Sequence, residues 1–231
     1  MCLCWRKNAN LHSTLKINQL GYISNGVETG GAPFELIYAI TQGFKAEYFI
    51  ETGTASGEST SIASDLYEVC HTIDVNANTA WECFEYGENV TFHVGNSVHV
   101  LPEIISQIPK DEYVVFWLDA HYSDAVPAEE DVVECPTIDE IQAISPIQKA
   151  VIVIDDARLF LGTPPPPMNP TKWSSIFDIF TKLHNCFPNH HITIVDDYVL
   201  CIPNEMKANL NNEWIQRFSV RYPPQKQNNE D

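Results

Sequence analysis

The sequence predicts an α/β protein with a doubly wound, Rossmann-like and mostly parallel sheet of seven strands and a C-terminal antiparallel hairpin strand. Short apolar runs of five or six residues alternate with amphipathic segments, which is typical of parallel strands covered by helices on both faces. Five of these runs end in small or acidic residues, at the edge where open parallel sheets bind ligands. Near the end, two apolar runs flank only Asp196 and Asp197, which predicts a hairpin.

The hydrophobic periodicity places the individual elements. A first helix is predicted over 32–43, with Gly43 ending it. The predicted strands are 46–50, 71–75, 90–94, 113–118, 150–154, 191–195 and 198–202. The predicted helices between them are 58–69, 79–86, 98–108, one that begins at Thr137, and 173–186. The spacing of Thr137 and Glu140 predicts a capping box at the start of its helix.

A length of 231 residues suits one large domain or two small ones. The chain shows no internal repeat and no domain linker, so we expect a single domain over 31–222. Residues 1–30, rich in Asn, Gly and Ser, are predicted to be an N-terminal arm, and 223–231 a disordered polar tail. The arm could be exchanged within a homo-oligomer or could cover a ligand, and both alternatives stay open.

The charge balance restricts the class of partner. Lys and Arg number 13 against 31 Asp and Glu, a formal net charge of −18. Nucleic acids and anionic membranes require a basic surface, so we expect neither as a partner and favour a small-molecule or glycan substrate. The odd cysteine count, seven, and the absence of a C-x-x-C pair predict neither a disulfide framework nor a zinc site. A start without a signal-peptide pattern and the lack of an apolar run of roughly 18 residues lead us to expect a cytoplasmic protein.

The first predicted strand ends in the motif Glu51-Thr-Gly-Thr-Ala-Ser-Gly57. Its glycines let a backbone approach a ligand and let a helix pack close to a strand. Ala55 stands where the dinucleotide fingerprint requires its second glycine, and no lysine completes a P-loop. A tight turn without a ligand explains the motif about as well.

Polar residues also follow the second and third strands. Asp74 ends the second strand, 21 residues after Gly53, and an acid at this spacing can accept hydrogen bonds from ribose hydroxyls. Asn96 and Ser97 follow the third strand, where they could border an adenine or cap the next helix.

Three carboxylates follow the fourth and fifth strands, namely Asp119, Asp155 and Asp156. Carboxylates in one crevice repel each other, and a hard divalent cation such as Mg²⁺ removes that conflict. The alternative is that one caps a helix and another pairs with Arg158. His121 lies two residues after Asp119 and can accept a proton near neutral pH, although substrate contact or packing is equally open for it.

Together these motifs resemble the class I S-adenosylmethionine-dependent methyltransferases, over about residues 33–204. The resemblance rests on the glycine motif, Asp74, Asn96 and the final hairpin. It implies that Gly53 and Gly57 line the methionine portion of the cofactor, that Asp74 binds the ribose and that Asn96 lies near the adenine. The full predicted cofactor-binding set is Glu51, Gly53, Thr54, Gly57, Ser59, Asp74, Asn96, Ser97 and Asp119.

A subgroup resemblance adds a metal and a base. Cation-dependent O-methyltransferases bind magnesium through acids at the positions of Asp119, Asp155 and Asp156, which are therefore the predicted metal ligands. Where the catechol type has its lysine base, this chain has Tyr122, so His121 becomes the candidate base and the predicted catalytic set is His121, Asp119 and Tyr122. The segment 118–123 also looks like one in methyltransferases linked to surface-glycan biosynthesis, which favours a sugar hydroxyl as acceptor.

Two other functions remain open at this point. A dinucleotide-dependent oxidoreductase is disfavoured by Ala55 and by the terminal hairpin. A non-catalytic module that binds the cofactor would preserve the fold without turnover. We further expect the loops 123–136 and 163–170 to flank an acceptor pocket, although the acidic residues 129–131 could equally be a solvated loop.

Overall fold

A computed structural model of the chain describes residues 31–76, 86–121 and 134–212. The predictions for the arm 1–30, for most of the helix 79–86, for Tyr122 and for the tail 223–231 lie outside these residues. So does most of the loop 123–136.

Seven strands form one sheet, as the sequence predicts. They are β1 Ala46–Thr52, β2 Val69–Asp74, β3 Val90–Val94, β4 Tyr113–Leu118, β5 Ala150–Ile154, β6 His190–Val195 and β7 Tyr198–Pro203. Their order across the sheet is β3-β2-β1-β4-β5-β7-β6. The first five pair in parallel, whereas β7 runs antiparallel to both β5 and β6. The predicted fold class is therefore confirmed.

Helices lie between the strands and cover the sheet. They are α1 Phe34–Ile40, α2 Glu58–Leu66, α3 Ser97–Ile105, α4 Thr137–Ile144, α5 Ala157–Leu161 and α6 Ile176–Cys186. None of the helices in the described ranges is long and apolar enough to cross a bilayer.

The central strands are buried on both faces. Along β4, Val114, Phe116 and Leu118 belong to one apolar core, and Val115 and Trp117 belong to the core on the opposite face. All five residues of β5 are buried as well. Because side chains alternate between the faces of a strand, a strand covered on both sides needs an unbroken apolar run. This requirement is what made the strands readable in the sequence.

Several predicted helix boundaries are wrong. The capping box of Thr137 and Glu140 does not form, because the cap position of α4 is Pro136, whose side chain makes no capping hydrogen bond. Thr137 is the first helical residue, which confirms the predicted start of this helix, and Glu140 points into the interior with 1% of its surface exposed. A genuine capping box joins Ser175 and Asp178 at the start of α6, three residues later than predicted.

Two further differences concern short elements. Val69 begins β2 rather than ending the preceding helix, which stops at Leu66. The five-residue helix α5 was not predicted, because its length is too small for a hydrophobic period to show.

The strand order reverses between β1 and β4. From β1 the chain adds β2 and then β3 on one side, and from β4 it adds β5 and the hairpin on the other. In open α/β sheets the crevice at such a reversal, outside the carboxyl ends of the strands, is where ligands bind. The residues at that edge are therefore the candidates for a functional site.

Candidate functional site

The turn after β1 is bonded to both neighbouring strands. The Gly53 amide donates to the Ile73 carbonyl at 2.8 Å, and the Asp119 amide donates to the Thr52 carbonyl at 3.0 Å. Gly53 has φ +85°, and a Cβ there would lie 2.3 Å from the carbonyl oxygen of Asp119. The glycine is thus required by the approach of the protein's own backbone, independently of any ligand.

The second glycine of the motif serves the start of α2. Gly57 has φ +77° and occupies the cap position of that helix. Its amide donates to the Thr54 carbonyl at 2.7 Å, which closes a tight turn. Ala55, inside the turn, also has a positive φ, of 43°. The motif is therefore a compact strand-to-helix turn at the sheet edge, the arrangement that the glycines predict.

Glu51 lies beneath this turn. Only 1% of its surface is exposed, and one carboxylate oxygen accepts hydrogen bonds from the hydroxyls of Thr60 and Thr72. Thr54, 4% exposed, shares a 2.6 Å hydrogen bond with Thr72. Burial raises the pKa of Glu51 to about 7, although the threonine hydroxyls oppose that shift. The structure thus places Glu51 and Thr54 in an interior network that joins β1, β2 and α2.

Asp74 lies beside the glycine turn, as predicted. Its two carboxylate oxygens accept the backbone amides of Ala55, at 3.1 Å, and Asn76, at 2.8 Å. A carboxylate has about four acceptor positions, so each oxygen retains capacity for one more donor. The side chain is not enclosed and is held in one orientation at the end of β2.

Three other residues of the predicted cofactor set make structural contacts. The Asn96 side chain caps α3 by accepting the Val98 amide at 3.0 Å, which is the capping alternative. Ser97 is buried in the first turn of that helix. The Ser59 hydroxyl accepts the Ala32 amide at 2.9 Å and so fixes the chain before α1.

Asp119, Asp155, Asp156 and His121 meet at the ends of β4 and β5. The Nε2 atom of His121 lies 2.7 Å from Oδ2 of Asp156 and 3.6 Å from Oδ1 of Asp119. The His121 side chain is 7% exposed, whereas those of Asp119 and Asp156 are 25% and 19% exposed. The structure thus brings these four residues, which the sequence analysis singled out, together at one edge of the sheet, and their roles stay predictions.

The three carboxylates differ in how their surroundings shift their pKa values. Burial raises the pKa of Asp119 to about 8, with repulsion from the other two acids adding to the shift and His121 opposing it. Burial and the charge of Asp156 raise the pKa of Asp155 to about 6. The pKa of Asp156 is lowered in spite of its burial, because His121 and Arg158 both stabilise its charged form.

His121 is polarised by Asp156. Burial works to lower its pKa, but the hydrogen bond to Asp156 and the nearby acidic charges outweigh burial and raise it. When the imidazole is neutral and donates from Nε2 to Asp156, its Nδ1 is an acceptor. The pair can therefore take up a proton at Nδ1 and stabilise the resulting cation.

Only some of these acids are suitably placed to bind a cation. Among the described residues, no group of three or more His, Cys, Asp or Glu side chains is arranged to hold a metal ion. Asp156 is already engaged, because Oδ2 bonds to His121 and Oδ1 lies 2.7 Å from Nη1 of Arg158. Asp119 contacts His121 only at 3.6 Å, and the pKa values of Asp119 and Asp155 are both raised. These two are therefore the carboxylates that fit a hard cation, which proteins often bind through one or two carboxylates. The three-acid metal site stays a prediction.

Sequence reasoning missed an aromatic neighbour of this site. The Trp173 ring packs edge-to-face on His121 with centroids 5.6 Å apart, and it also contacts Phe160 at 5.6 Å. The periodicity predicts that Trp173 begins the helix 173–186, but in the structure it precedes α6 and follows a 3-10 turn over Pro170–Lys172. No local signal links it to His121, because only the folded chain brings the two segments together.

Comparison with known proteins supports the fold. No protein-family model matches the chain, and none of the curated proteins matches it. Among solved structures, it is similar to the MycE methyltransferase of mycinamycin biosynthesis in complex with Mg, SAH and mycinamycin VI. That match has a TM-score of 0.50 and 9% identity, and it covers 74% of this chain and 48% of MycE.

Two weaker similarities have TM-scores below 0.5. SMU.1697c of Streptococcus mutans, solved in complex with SAH, scores 0.49 with 13% identity, covering 74% of this chain and 98% of the other. The plantazolicin methyltransferase BamL scores 0.46 with 12% identity, covering 84% and 77%. The chain spans about half the length of MycE, so what the comparison shows is a shared architecture: this protein has a Rossmann-like, seven-stranded fold also found in a methyltransferase.

Proposed function

We propose that this protein is an S-adenosylmethionine-dependent O-methyltransferase that acts on a hydroxyl of a sugar, a glycan or another small molecule, assisted by a divalent cation, most simply Mg²⁺. The observation that carries the proposal is the gathering at one sheet edge of the glycine turn, Asp74 and the His121–Asp156 pair with its two neighbouring acids. The shared architecture with a methyltransferase supports it.

The cofactor half of the site is the edge of β1 and β2. S-adenosylmethionine would supply the methyl group on a sulfonium cation. Asp74, held by the amides of Ala55 and Asn76, has acceptor positions left for two adjacent hydroxyls of a ribose. The surplus of carboxylates along the edge favours a cationic ligand over an anionic one. Glu51 and Thr54 act from below by fixing the turn.

The acceptor half is the edge of β4 and β5. His121, oriented by the 2.7 Å hydrogen bond to Asp156, would remove the hydroxyl proton at Nδ1 as the oxygen bonds to the methyl carbon. The bond from that carbon to sulfur would break in the same step, with neutral S-adenosylhomocysteine as the leaving group. Asp156 then stabilises the charged imidazolium, and Arg158 keeps Asp156 ionised. Much of the rate enhancement would come from holding the two reactants in line.

A divalent cation would lie against Asp119 and Asp155. When bound, it would supply Lewis-acid chemistry that lowers the pKa of a coordinated hydroxyl. The two carboxylates fit this role because the charge of a cation would offset the burial and mutual repulsion that raise their pKa values. Dependence on a cation is thus a separable part of the proposal.

Cofactor binding is the first test. Isothermal titration of the protein with S-adenosylmethionine should give saturable binding. Asp74→Asn should weaken binding by about tenfold or more, since it removes a charge-assisted acceptor. Asp111 is an exposed residue just before β4, at the amino end of that strand and so away from the site. Asp111→Asn is the matched control and should bind the cofactor normally. Binding of NAD instead would identify an oxidoreductase and contradict the proposal.

Turnover is the second test. Sugar nucleotides, free sugars and catechols are screened for formation of S-adenosylhomocysteine, with and without EDTA and with Mg²⁺ restored. Turnover that requires a cation supports the whole proposal, and full turnover in EDTA contradicts the cation alone. Tight cofactor binding without turnover of any acceptor would indicate a binding module.

A further inference from the structure

The candidate base is covered by an aromatic side chain from a distant part of the chain. Trp173 has 9% of its surface exposed and packs against both His121 and Phe160. The His121 side chain is itself only 7% exposed. Its imidazole is therefore shielded from solvent, and a hydroxyl acceptor would have to pass Trp173 or displace it.

The segment that carries Trp173 is held by one carboxylate. Glu134, just before α4, accepts the backbone amide of Asn169 at 2.8 Å through Oε2, and Nζ of Lys172 lies 3.4 Å from Oε1. The Asn169 amide lowers the pKa of Glu134 despite burial, with Lys172 and Trp173 adding to the effect. The Glu134 side chain is 9% exposed, whereas its partners Asn169 and Lys172 lie at the surface.

The segment also has its own local order. The Asn169 side chain caps the 3-10 turn by accepting the amide and the hydroxyl of Thr171, at 3.1 and 2.9 Å. A short turn of this kind can move as a unit, because its internal hydrogen bonds do not depend on the rest of the fold. The turn is attached to the residues just before α4 through the carboxylate of Glu134.

The indole N–H of Trp173 is a buried donor whose pairing is incomplete. It makes no hydrogen bond of ordinary geometry to the described residues, although it contributes to the lowered pKa of the Glu134 carboxylate. A buried tryptophan usually pairs this donor fully, and leaving it poorly paired costs free energy. When the turn moves away from Glu134, the donor becomes available to an oxygen atom that enters beside His121.

Resting on the proposed function, we propose that Trp173 is a gate and positioning residue for the acceptor and that Glu134 is the anchor that holds the gate closed. In the closed arrangement Trp173 supports the His121 ring and excludes water from it. An acceptor enters as the turn over Pro170–Lys172 moves, and the indole N–H then donates to one of its oxygens. The site would thus favour acceptors with an oxygen atom next to the reacting hydroxyl.

Two measurements that need no acceptor test the gate. Hydrogen exchange followed by mass spectrometry reports the amides of 169–173, and diethyl pyrocarbonate labelling reports access to His121. Glu134→Ala should increase both rates by about tenfold or more, because it releases the anchor. Glu134→Gln, which keeps the size but not the charge, should give an intermediate increase. Glu35→Gln, on the exposed face of α1, is the control and should change neither rate.

Two substitutions of Trp173 distinguish its role in covering His121 from the hydrogen bond that its indole N–H would donate. Trp173→Ala should expose His121 to labelling by about tenfold or more, whereas Trp173→Phe should leave labelling close to that of the wild type. With an acceptor in hand, Trp173→Phe should raise KM more than it lowers kcat. Wild-type rates of exchange and labelling in both Glu134→Ala and Trp173→Ala would overturn the gate.

Circular dichroism and cofactor titration keep this test distinct from that of the function. Each variant should show a native spectrum and bind S-adenosylmethionine as the wild type does, because Glu134 and Trp173 lie on the acceptor side of the site. If the wild-type protein fails to bind the cofactor, the proposed function fails while the exchange data still describe the gate. If the cofactor binds and neither rate changes, the gate alone is wrong.

Discussion

Replacing Gly53 with alanine should strongly destabilise this fold, although it adds a single methyl group. Its φ of +85° already disfavours an L-residue, at a cost of about 1–2 kcal/mol. A Cβ would also lie 2.3 Å from the Asp119 carbonyl oxygen and 2.7 Å from its carbonyl carbon. Both are backbone atoms in buried strand ends, so one strand end has to shift by about 1 Å in a tightly packed region.

The expected loss is the sum of these two effects. Overpacking a well-packed site costs about 1–3 kcal/mol, so we expect Gly53→Ala to lower the free energy of unfolding by about 2–5 kcal/mol. Because Asp119 is the residue that must move, the variant should also bind any ligand of this edge more weakly. Urea denaturation gives the first quantity, and cofactor titration gives the second.

Two other glycines separate conformational strain from the steric clash. Gly43 has nearly the same φ, +83°, but a Cβ there meets no atom within 4 Å, so Gly43→Ala should cost only about 1 kcal/mol. Gly162 has φ −145° and open space around it, so Gly162→Ala should be neutral or slightly stabilising. If Gly53→Ala lowers the free energy of unfolding no more than Gly43→Ala does, the close contact between the end of β1 and Asp119 is not what makes Gly53 necessary.

Three further changes have expected outcomes with a defined sign. The fold raises the pKa of Glu51 to about 7. The protonated side chain therefore contributes stability at pH values below the ordinary pKa of a glutamate, and this contribution is lost as pH rises through 7. As pH rises from 5 to 8, the Glu51→Gln variant should therefore become more stable than the wild type. The difference in the free energy of unfolding, measured by thermal or urea unfolding, should be at most about 3 kcal/mol. Burial and His93 lower the pKa of His71 to about 4. The free energy of unfolding of the wild type should therefore fall by about 1–2 kcal/mol as pH falls from 6.5 to 4, after allowance for the partial exposure of His71. In His71→Gln this fall should be smaller. His121→Asn should reduce turnover by about 10²-fold or more without changing cofactor affinity, since its proposed role is proton removal.

The sheet could be predicted because the pattern that burial imposes is visible within the sequence of each single strand. Burial on both faces requires an unbroken apolar run, and β4 and β5 show one. Helix ends were less accessible, because their caps depend on tertiary contacts. Glu140 matched a capping motif by spacing, yet the fold buries it in the interior.

The sequence could indicate members of the candidate site where they follow strands, and it gave no indication where they do not. Asp74, Asp119 and His121 reach one edge because parallel strands share an orientation. Glu51 also ends a strand, but its side chain points under the glycine turn, toward Thr60 and Thr72. A residue's place in a strand does not reveal which donors its side chain will meet. Glu134 and Trp173 give no signal, because their contacts join segments remote in sequence.

The reversal of strand order between β1 and β4 divides the molecule into two halves of different character. The half ending before β4 carries the proposed cofactor residues, and the half from β4 onward carries the proposed chemistry and its gate. Recombination within residues 106–112, between α3 and β4, would exchange one half while leaving the other whole. Provided that the fit of Gly53 against Asp119 is retained, new acceptor preferences could be acquired without rebuilding the cofactor site, which makes this junction the natural place to assemble chimaeras.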